Sequence, residues 1–308
     1  MNPVSIKELQ RLYRVACAQD VIAFKPGNVS YASPGHGMDA DTFRRSAQAS
    51  AQPLTEPGLA LGERVLAAVV ATRAAVACNS NLGILLLCAP LVQATINYPD
   101  KPLHEGVRRV LRNTSVADSL AVYEAIRIAA PGGLGEVDEH DVSLGTRLTL
   151  TDVMSYAAPR DLIAAQYVNA YADLFDTALP FLDGALRRCR TGADAVTALF
   201  LFLLSRYPDT HITRKFGADS ARKVSQTAGD VRAAWDDATQ PGEALRHLIA
   251  FDKQLKSAGL NPGTTADLCV ATLFSHHLRQ QVDLKPGDTR NHPWSRHPTS
   301  VNGSTHVD

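Results

Sequence analysis

Hydrophobic residues recur every three or four positions along most of the chain, which is the spacing that places them on one face of an α-helix. Alternating runs of Val, Ile and Thr, which are typical of strands, are hard to find. We therefore predict an all-α fold, organised as a single large multi-helix domain over residues 1–283. Helices are predicted from Ser5 to before Pro26 and over residues 41–51, 61–77, 82–94, 104–111, 116–129, 160–175, a shorter stretch before 190, 193–205, 218–228, 242–257 and 265–282.

Residues 284–308 break this pattern. The segment starts with Lys285-Pro286-Gly287 and continues with mostly polar residues. Too few apolar side chains are present to offset the entropy lost on ordering the chain. We predict a disordered tail.

Charge and the lengths of the apolar runs exclude several classes of protein. The 31 basic and 31 acidic side chains cancel, so no overall field attracts nucleic acid or an anionic membrane. The longest apolar runs, residues 82–91 and 198–204, fall short of the roughly 20 residues that cross a bilayer. The N-terminus lacks the apolar region of a signal peptide, and the five cysteines are too scattered for a disulfide framework. We expect a cytoplasmic protein that binds neither nucleic acid nor membrane, whose oligomeric state the sequence does not determine.

Common catalytic motifs do not explain the chain. It has no Walker-type phosphate loop, and His104-Glu105 is not completed by a second His at the spacing of zinc proteases. Candidate chemistry lies instead at five polar junctions between helices. Each junction alone has a purely structural explanation, and their number is the argument for function.

One junction opens the most apolar helix of the chain. Asn79, Ser80 and Asn81 come directly before residues 82–91, in which only Gly83 and Pro90 interrupt a run of aliphatic, Ala and Cys side chains. Helix N-termini expose unpaired N–H groups and a partial positive charge. These side chains therefore either cap the helix or help its amides to bind a phosphate.

The junction after the first helix combines a helix end with ionisable side chains. Lys25 can neutralise a phosphate, and Gly27, followed by Asn28, allows close approach of the backbone. His36 or Asp39 can transfer a proton or join a metal shell. The alternative is a helix stop followed by Asp39 as the cap of the next helix.

An acidic loop forms the third junction. Glu139 and Asp141 follow a glycine-rich turn. One or two carboxylates are enough to hold Mg²⁺ in a nucleotide site. A solvated acidic loop fits the same residues.

The fourth junction has the densest cluster of chemical groups. Asp209, His211, Arg214 and Lys215 lie within seven residues, directly after a strongly apolar helix. The guanidinium and the ammonium suit a phosphate chain, and the carboxylate suits a metal ion or a hydroxyl proton. Mixed charges of this kind also occur on solvated surfaces.

The fifth junction precedes the last apolar helix. Thr264 and Asp267 are three residues apart, which is the spacing of a capping pair. In the functional interpretation, Thr264 and the helix amides bind phosphate while Asp267 points into a cleft.

Taken in order, these junctions resemble the triphosphoribosyl-dephospho-CoA synthase family over roughly residues 20–280. The resemblance implies a mostly helical fold and an ATP-dependent transferase of coenzyme biosynthesis. In that reaction the triphosphoribosyl group of ATP moves to a hydroxyl of dephospho-CoA, and adenine is released. The motifs that carry the resemblance are Lys25-Pro26-Gly27, His36 to Asp39, Asn79 to Gly83, Gly133-Leu134-Gly135 with Asp141-Val142, Asp209-Thr210-His211, and Pro262 to Leu268.

Two segments depart from the family pattern. Members that serve the acyl carriers of citrate lyase and malonate decarboxylase typically have a lysine in each of the segments that here read 34–39 and 79–83. Neither Gly nor Leu replaces the charge of a lysine, although Arg214 beside Lys215 restores one cation elsewhere. The chain looks more like the branch found in archaea and one-carbon-metabolising bacteria. The acceptor is therefore dephospho-CoA or a related coenzyme precursor.

The implied reaction assigns roles to the junction residues. Cleavage of the adenine–ribose bond builds positive charge on the sugar, which a nearby carboxylate stabilises. A histidine has a suitable pKa range to take the proton of the acceptor hydroxyl, and Mg²⁺ is expected with ATP. The assignments are His36, Asp39, Asp209 and His211 as catalytic residues; Lys25, Gly27, Asn28, Asn79, Asn81, Arg214, Lys215, Thr264 and Asp267 as nucleotide-binding residues; and Asp39, Asp209, Glu139 and Asp141 as metal ligands.

Two alternatives stay open. The same ATP site can serve kinase or ligase chemistry on a one-carbon-carrier coenzyme precursor. In the other alternative, the junctions are mainly helix caps of a non-catalytic module that binds a nucleotide or a protein partner.

Overall fold

The computed structural model describes residues 4–130, 146–237 and 241–283. These residues form fourteen α-helices and one π-helical segment, with no strand among them, so the prediction of an all-α fold is confirmed. The helices are α1 (Ile6–Ile22), α2 (Ala40–Thr55), α3 (Leu61–Val76), α4 (Leu82–Asn97), α5 (Leu103–Arg112), α6 (Val116–Ala129), α7 (Leu150–Ala157), α8 (Leu162–Val168), α9 (Leu179–Arg188), α10 (Gly192–Arg206), α11 (Thr210–Phe216), α12 (Ala218–Asp237), α13 (Pro241–Ser257) and α14 (Gly263–Asp283), and the π-helical segment is Asp173–Ala178.

Local capping sets where several helices begin. At the start of α1 the Ser5 hydroxyl accepts a hydrogen bond from the Glu8 amide. Reciprocal capping boxes open α6, α7 and α10, each with a Ser or Thr at the cap and an Asp three residues later. Because these side chains satisfy amides that the helix leaves unpaired, the boundaries are encoded within a few residues of sequence.

Helix α4 lies at the centre of the core. Most of its residues are buried, and it packs against α14, α5, α3 and α2. Pro90 lies inside the helix and lacks the N–H that would bond to the Leu86 carbonyl. The Tyr167 hydroxyl donates to that carbonyl at 2.7 Å, and the Tyr171 hydroxyl donates to the Leu87 carbonyl at 2.9 Å. Two tyrosines therefore replace the backbone hydrogen bonding that a proline disturbs.

The predicted helix over 160–175 is wrong in detail. In its place α8 ends at Val168, and a turn with positive φ at Ala170 and Tyr171 leads into the π-helical segment. The anchoring of the Tyr171 hydroxyl on α4 is a tertiary contact that overrides the helical pattern. Two short helices, α7 and α11, were not predicted. The predicted tail and the acidic loop with Glu139 and Asp141 lie outside the described residues.

One hydrophobic cluster joins residues from nearly every helix. In the described parts of the chain, no helix is both long enough and apolar enough to cross a membrane. The first and last core helices, α1 and α14, pack against each other and bring the two ends of the domain together.

Candidate active site

Four of the five polar junctions meet at one cavity of about 860 Å³. The fourth and fifth junctions enter it beside the N-terminus of α4, and the loop after α1 closes another side. An apolar wall from α6 and α7 completes the cavity. The predicted residues that line it are Asn28, His36, Asn79, Asn81, His211, Arg214, Lys215, Thr264 and Asp267.

The first turns of α4 and α14 touch at Gly83 and Asp267. A Cβ atom placed on Gly83 would lie 2.0 Å from Oδ2 of Asp267 and 2.6 Å from its Cγ. Any side chain at Gly83 would therefore displace the carboxylate. The second and fifth junctions thus make one composite feature of the cavity.

The Asp267 carboxylate faces the cavity and receives no hydrogen bond from the described residues. Burial raises its pKa well above the ordinary value of an aspartate, and the nearby carboxylates of Asp209, Asp20 and Asp161 raise the pKa further. The positive charge of Arg214 lowers the pKa of Asp267 and so opposes this shift. The group therefore holds a proton more readily than a solvated aspartate does.

Asp209 is buried and connects two helices, and its assignments as a catalytic residue and a metal ligand stay predictions. Its Oδ1 caps α11 by accepting a hydrogen bond from the Ile212 amide at 3.0 Å. Its Oδ2 accepts from both the amide and the hydroxyl of Thr265, each at 2.8 Å. Burial raises the pKa of Asp209, and these hydrogen bonds lower it. With both oxygens occupied, the side chain joins the start of α11 to the start of α14.

Lys25 is also buried, and its assignment as a phosphate ligand stays a prediction. Its ammonium lies 3.0 Å from the Asp20 carboxylate and donates to the backbone carbonyls of Asp20 and Val29. The side chain is 0% exposed and does not line the cavity. The pattern Lys-Pro-Gly suggested a loop lysine free to reach a ligand, but the charge pairs with the preceding helix instead.

Asp39 lies at the surface as the N-cap of α2, where its Oδ1 accepts from the Thr42 amide and hydroxyl, each at 2.8 Å. These hydrogen bonds lower the pKa of Asp39. The carboxylate does not line the cavity. The alternative interpretation of Asp39 as a cap describes its contacts, and its assignments as a catalytic residue and a metal ligand stay predictions.

The loop after α1 is held against α13. Gly27 has a φ of +76° and donates its amide to Oδ1 of Asp252 at 2.8 Å, while the Ser33 hydroxyl donates to Oδ2 at 2.6 Å. Gly27 does not line the cavity and turns the backbone, and its contact with a nucleotide stays a prediction. Asn28 bridges this loop to the fifth junction, because its side-chain Nδ2 donates to Oδ1 of Asn261 at 2.8 Å.

His36 follows in the same loop and lines the cavity. Its Nε2 lies 2.8 Å from the Gly27 carbonyl, which can only accept a hydrogen bond. Nε2 therefore carries the proton, and Nδ1 is left as the basic nitrogen in the neutral ring. His36 stays a candidate catalytic residue.

The two asparagines at the start of α4 lie on the cavity wall. Oδ1 of Asn79 accepts a hydrogen bond from the Leu82 backbone amide at 3.3 Å. The side-chain Nδ2 of Asn81 donates to the Ser50 hydroxyl at 3.4 Å. Asn79 thus acts as a cap, as one of the two interpretations proposed. Asn81 is the cap residue by position but makes no capping bond with its side chain.

Three cations line the cavity, namely Arg160, Arg214 and Lys215, and Nη1 of Arg160 donates to the Tyr156 carbonyl of α7 at 3.4 Å. Arg214 pairs with Asp161, whose Oδ2 lies 3.5 Å from Nη1. Lys215 is exposed and forms no ion pair with the described residues. Cations that face a concave site can bind a polyanion such as a triphosphate.

His211 lies next to these cations, with its Nδ1 3.4 Å from Nη2 of Arg214. Burial lowers the pKa of His211 to about 4, and the charges of Lys215 and Arg214 lower it as well. The imidazole is therefore neutral near pH 7 and is a poor proton acceptor. His211 suits a hydrogen bond to a substrate better than the role of general base that we predicted.

The sequence did not reveal Arg160, Asp161 and Asp20 as cavity residues. Arg160 was placed at the start of a predicted helix, whereas Asp161 caps the shorter α8 by accepting from the Ile163 and Ala164 amides. The Pro159-Arg160-Asp161 order is a helix-start signal that should have separated these residues from the helix. The apolar wall of α6 and α7 had no signal in the sequence apart from its hydrophobicity.

The comparisons with known proteins agree with this geometry. Residues 6–286 match the model of the ATP:dephospho-CoA triphosphoribosyl transferase family. This chain belongs to that family.

Two relatives in Streptococcus equi carry the name "Probable 2-(5''-triphosphoribosyl)-3'-dephosphocoenzyme-A synthase". The protein from subspecies zooepidemicus (strain MGCS10565) is 27% identical over 172 residues, covering 54% of this chain and 54% of the relative. The protein from subspecies equi (strain 4047) is 27% identical over 212 residues, covering 66% of this chain and 67% of the relative. The chain thus spans about half to two thirds of the curated relatives that it matches.

A crystal structure from Archaeoglobus fulgidus, which carries the provisional name triphosphoribosyl-dephospho-CoA synthase, has a related fold. It superimposes with a TM-score of 0.58 at 27% identity, covering 75% of this chain and 96% of the other. The resemblance to the transferase family that the junction motifs suggested is therefore confirmed.

Within residues 4–130, 146–237 and 241–283, no group of three or more His, Cys, Asp or Glu side chains could hold a metal ion. For this member of the transferase family, the Mg²⁺ assignment to Glu139 and Asp141 concerns residues outside the described ranges.

Proposed function

We propose that this protein is an ATP-dependent transferase that moves the triphosphoribosyl group of ATP to a hydroxyl of dephospho-CoA or a related coenzyme precursor and releases adenine. Membership of the family supports the reaction class. The observation that carries the proposal is the convergence of four junctions on one cavity that holds both a group of cations and a carboxylate without a hydrogen-bond partner among the described residues.

The lining of the cavity includes groups that suit both halves of ATP. The cations Arg160, Arg214 and Lys215 attract the triphosphate, and the apolar wall of α6 and α7 offers a surface for a base. The ribose then lies between these cations and this wall. Since Asp267 lies at the contact between α4 and α14, a negative charge can face the sugar carbon as positive charge develops on it.

Mg²⁺ remains part of the proposal as a companion of ATP. We propose that the ion arrives on the phosphate oxygens and keeps several waters, as Mg²⁺ commonly does. When bound, it neutralises part of the triphosphate charge.

The test is an assay of the bases and nucleotides formed. The protein is incubated with ATP, Mg²⁺ and dephospho-CoA, and the products are separated by chromatography and identified by mass. The proposal predicts free adenine in equal amount to an acceptor that has gained a triphosphoribosyl group. Formation of ADP or AMP with no adenine would instead indicate kinase or ligase chemistry.

A matched pair of variants locates the reaction in the cavity. Lys215→Gln removes a cation that lines the cavity, whereas Arg246→Gln removes an exposed cation on α13 that does not. We expect the first variant to raise the KM for ATP and the second to leave it unchanged. Equal effects would contradict this location of the triphosphate.

A further inference from the structure

The contact between α4 and α14 is unusual in its tightness. Atoms at the end of the Asp267 side chain occupy the space that a methyl group on Gly83 would need, and Cδ1 of Ile163 closes the same space at 2.9 Å. The carboxylate is thereby held against a helix backbone at the cavity wall. A glycine at this helical position lowers helix propensity, and the close approach provides a reason for it.

The other carboxylates at or near the cavity already have protein partners, although the buried Oδ1 of Asp20 accepts no hydrogen bond from the described residues. Both oxygens of Asp209 accept hydrogen bonds from the protein. Asp161 caps α8 and pairs with Arg214, and Asp20 pairs with the buried Lys25. Among the described carboxylates that line the cavity, Asp267 alone has neither a hydrogen bond nor an ion pair.

We propose that Asp267 is the catalytic proton acceptor for the hydroxyl of the acceptor substrate, and that Gly83 is the positioning residue that sets the place of its carboxylate. This inference rests on the proposed function. Its geometric basis is a carboxylate with no other partner at the junction of two helix N-termini, inside the cavity that also holds the cations.

The step balances without another reactant. The oxygen of the acceptor hydroxyl attacks C1′ of the ATP ribose and forms the new glycosidic C–O bond. The C1′–N9 bond breaks, and its electron pair leaves with adenine. The hydroxyl proton moves to the Asp267 carboxylate and then to the departing adenine, so the carboxylate is restored for the next cycle.

The surroundings of Asp267 favour this role. A carboxylate whose pKa is raised by burial and by neighbouring negative charge is a stronger base than a solvated one. Its activity as a base then requires a pH above that raised pKa. The ionisable groups that interact with it are Asp20 and Cys17 of α1, Cys88 of α4, Asp161 before α8, Asp209 and Arg214 at α11, and Cys269 of α14.

Three variants separate chemistry from folding. Asp267→Asn removes the base, Asp267→Glu keeps a carboxylate on a longer stem, and Gly83→Ala keeps the carboxylate but displaces it. Gly229→Ala is the matched control, because Gly229 lies inside helix α12 and a Cβ there would meet only Cβ of Ser205 at an ordinary 3.9 Å. Circular dichroism and thermal unfolding verify that each variant is folded.

The readouts are kcat for adenine release over a range of pH and the Kd for ATP by calorimetry. For Asp267→Asn we expect kcat to fall by about 10²–10⁴-fold, the usual contribution of a general base, and the acid limb of the pH profile to disappear. For Gly83→Ala we expect about a 10²-fold loss in kcat with the ATP Kd within a few-fold of the parent. Asp267→Glu should recover part of the activity and restore the acid limb.

The outcomes distinguish this inference from the function on which it rests. If the parent protein releases no adenine with any acceptor, the proposed function fails. If the parent releases adenine but Asp267→Asn keeps its rate or its acid limb, Asp267 is not the proton acceptor. If Gly83→Ala behaves like Gly229→Ala, Gly83 does not position the carboxylate.

Discussion

The buried ion pair between Lys25 and Asp20 gives a sharp test of the structure. Lys25→Met keeps most of the volume of the side chain and removes its charge. The ammonium is 0% exposed, lies 3.0 Å from the carboxylate and donates to two backbone carbonyls. Removing it leaves a buried carboxylate with no counter-ion. Breaking a buried pair in this way costs about 3–5 kcal/mol of folding free energy.

The folding free energy lost in Lys25→Met depends on pH, and the ion pair predicts the direction of that dependence. In the parent, burial raises the pKa of Asp20 and Lys25 partly opposes this shift. Without Lys25 the pKa of Asp20 rises further in the folded state, so the variant gains stability relative to the parent as pH falls and the carboxyl takes up a proton. The loss of folding free energy in Lys25→Met is therefore largest at a pH at which Asp20 is fully ionised, and it is smaller at mildly acidic pH.

Urea unfolding of the parent, Lys25→Met, Asp20→Asn and the double variant measures both effects. We expect the double variant to recover more than half of the loss seen in Lys25→Met, because the unpaired charge is then gone. A Lys25→Met protein as stable as the parent but with much weaker ATP binding would refute the reasoning. It would show that Lys25 is a phosphate ligand, as the sequence alone had suggested.

Three further predictions concern the cation group, the loop after α1 and a helix contact. Arg214→Gln should weaken ATP binding by roughly 10–100-fold in calorimetry, the effect of losing a charged hydrogen bond, and an unchanged Kd would contradict the triphosphate site. Asp252→Ala removes the acceptor of two loop hydrogen bonds, so urea unfolding should show a loss of about 1–3 kcal/mol; no loss would contradict the anchoring of this loop on α13. Gly62→Ala places a Cβ 2.5 Å from the Asp118 carbonyl oxygen of α6, while a Cβ on Gly242 meets nothing within 4 Å. We expect the first glycine variant to lose about 1–3 kcal/mol and the second to be neutral or slightly stabilised, and equal stabilities would argue against the close packing of α3 on α6.

Features encoded by neighbouring residues were predictable from the sequence. The periodicity gave most helices within a few residues of their observed bounds, since helix hydrogen bonds and caps connect positions three or four apart. The cap at Ser5 and the boundaries of α6 are examples. The polar junctions were also recognisable, because the uncharged polar residues and the apolar helix that follows them are adjacent in the sequence.

Features set by contacts distant in the chain were not predictable. Nothing near Lys25 shows that its ammonium turns back to Asp20, and nothing near Asp209 shows that Thr265 occupies its second oxygen. The same holds for the break in the predicted helix at Tyr171, whose hydroxyl bonds to α4. Burial decides whether a charged residue serves the fold or the cavity, and the sequence does not show burial of individual polar groups.

In the candidate site, too, features set by neighbouring residues were predictable and features set by contacts distant in the chain were not. That a carboxylate of the fifth junction faces a cleft was one interpretation of Asp267, but its contact with Gly83 depends on how α4 and α14 pack. Arg160 and Asp161 were missed because the loop that presents them was assigned to a helix.

A crystal structure of the protein with an ATP analogue whose C1′–N9 bond cannot break tests the central claim most directly. We expect the analogue to occupy the cavity, with the triphosphate against Arg214 and Lys215 and the ribose C1′ next to the Asp267 carboxylate. An analogue bound on another face of the molecule, or in the cavity with its phosphates turned toward the apolar wall of α6 and α7, would contradict it.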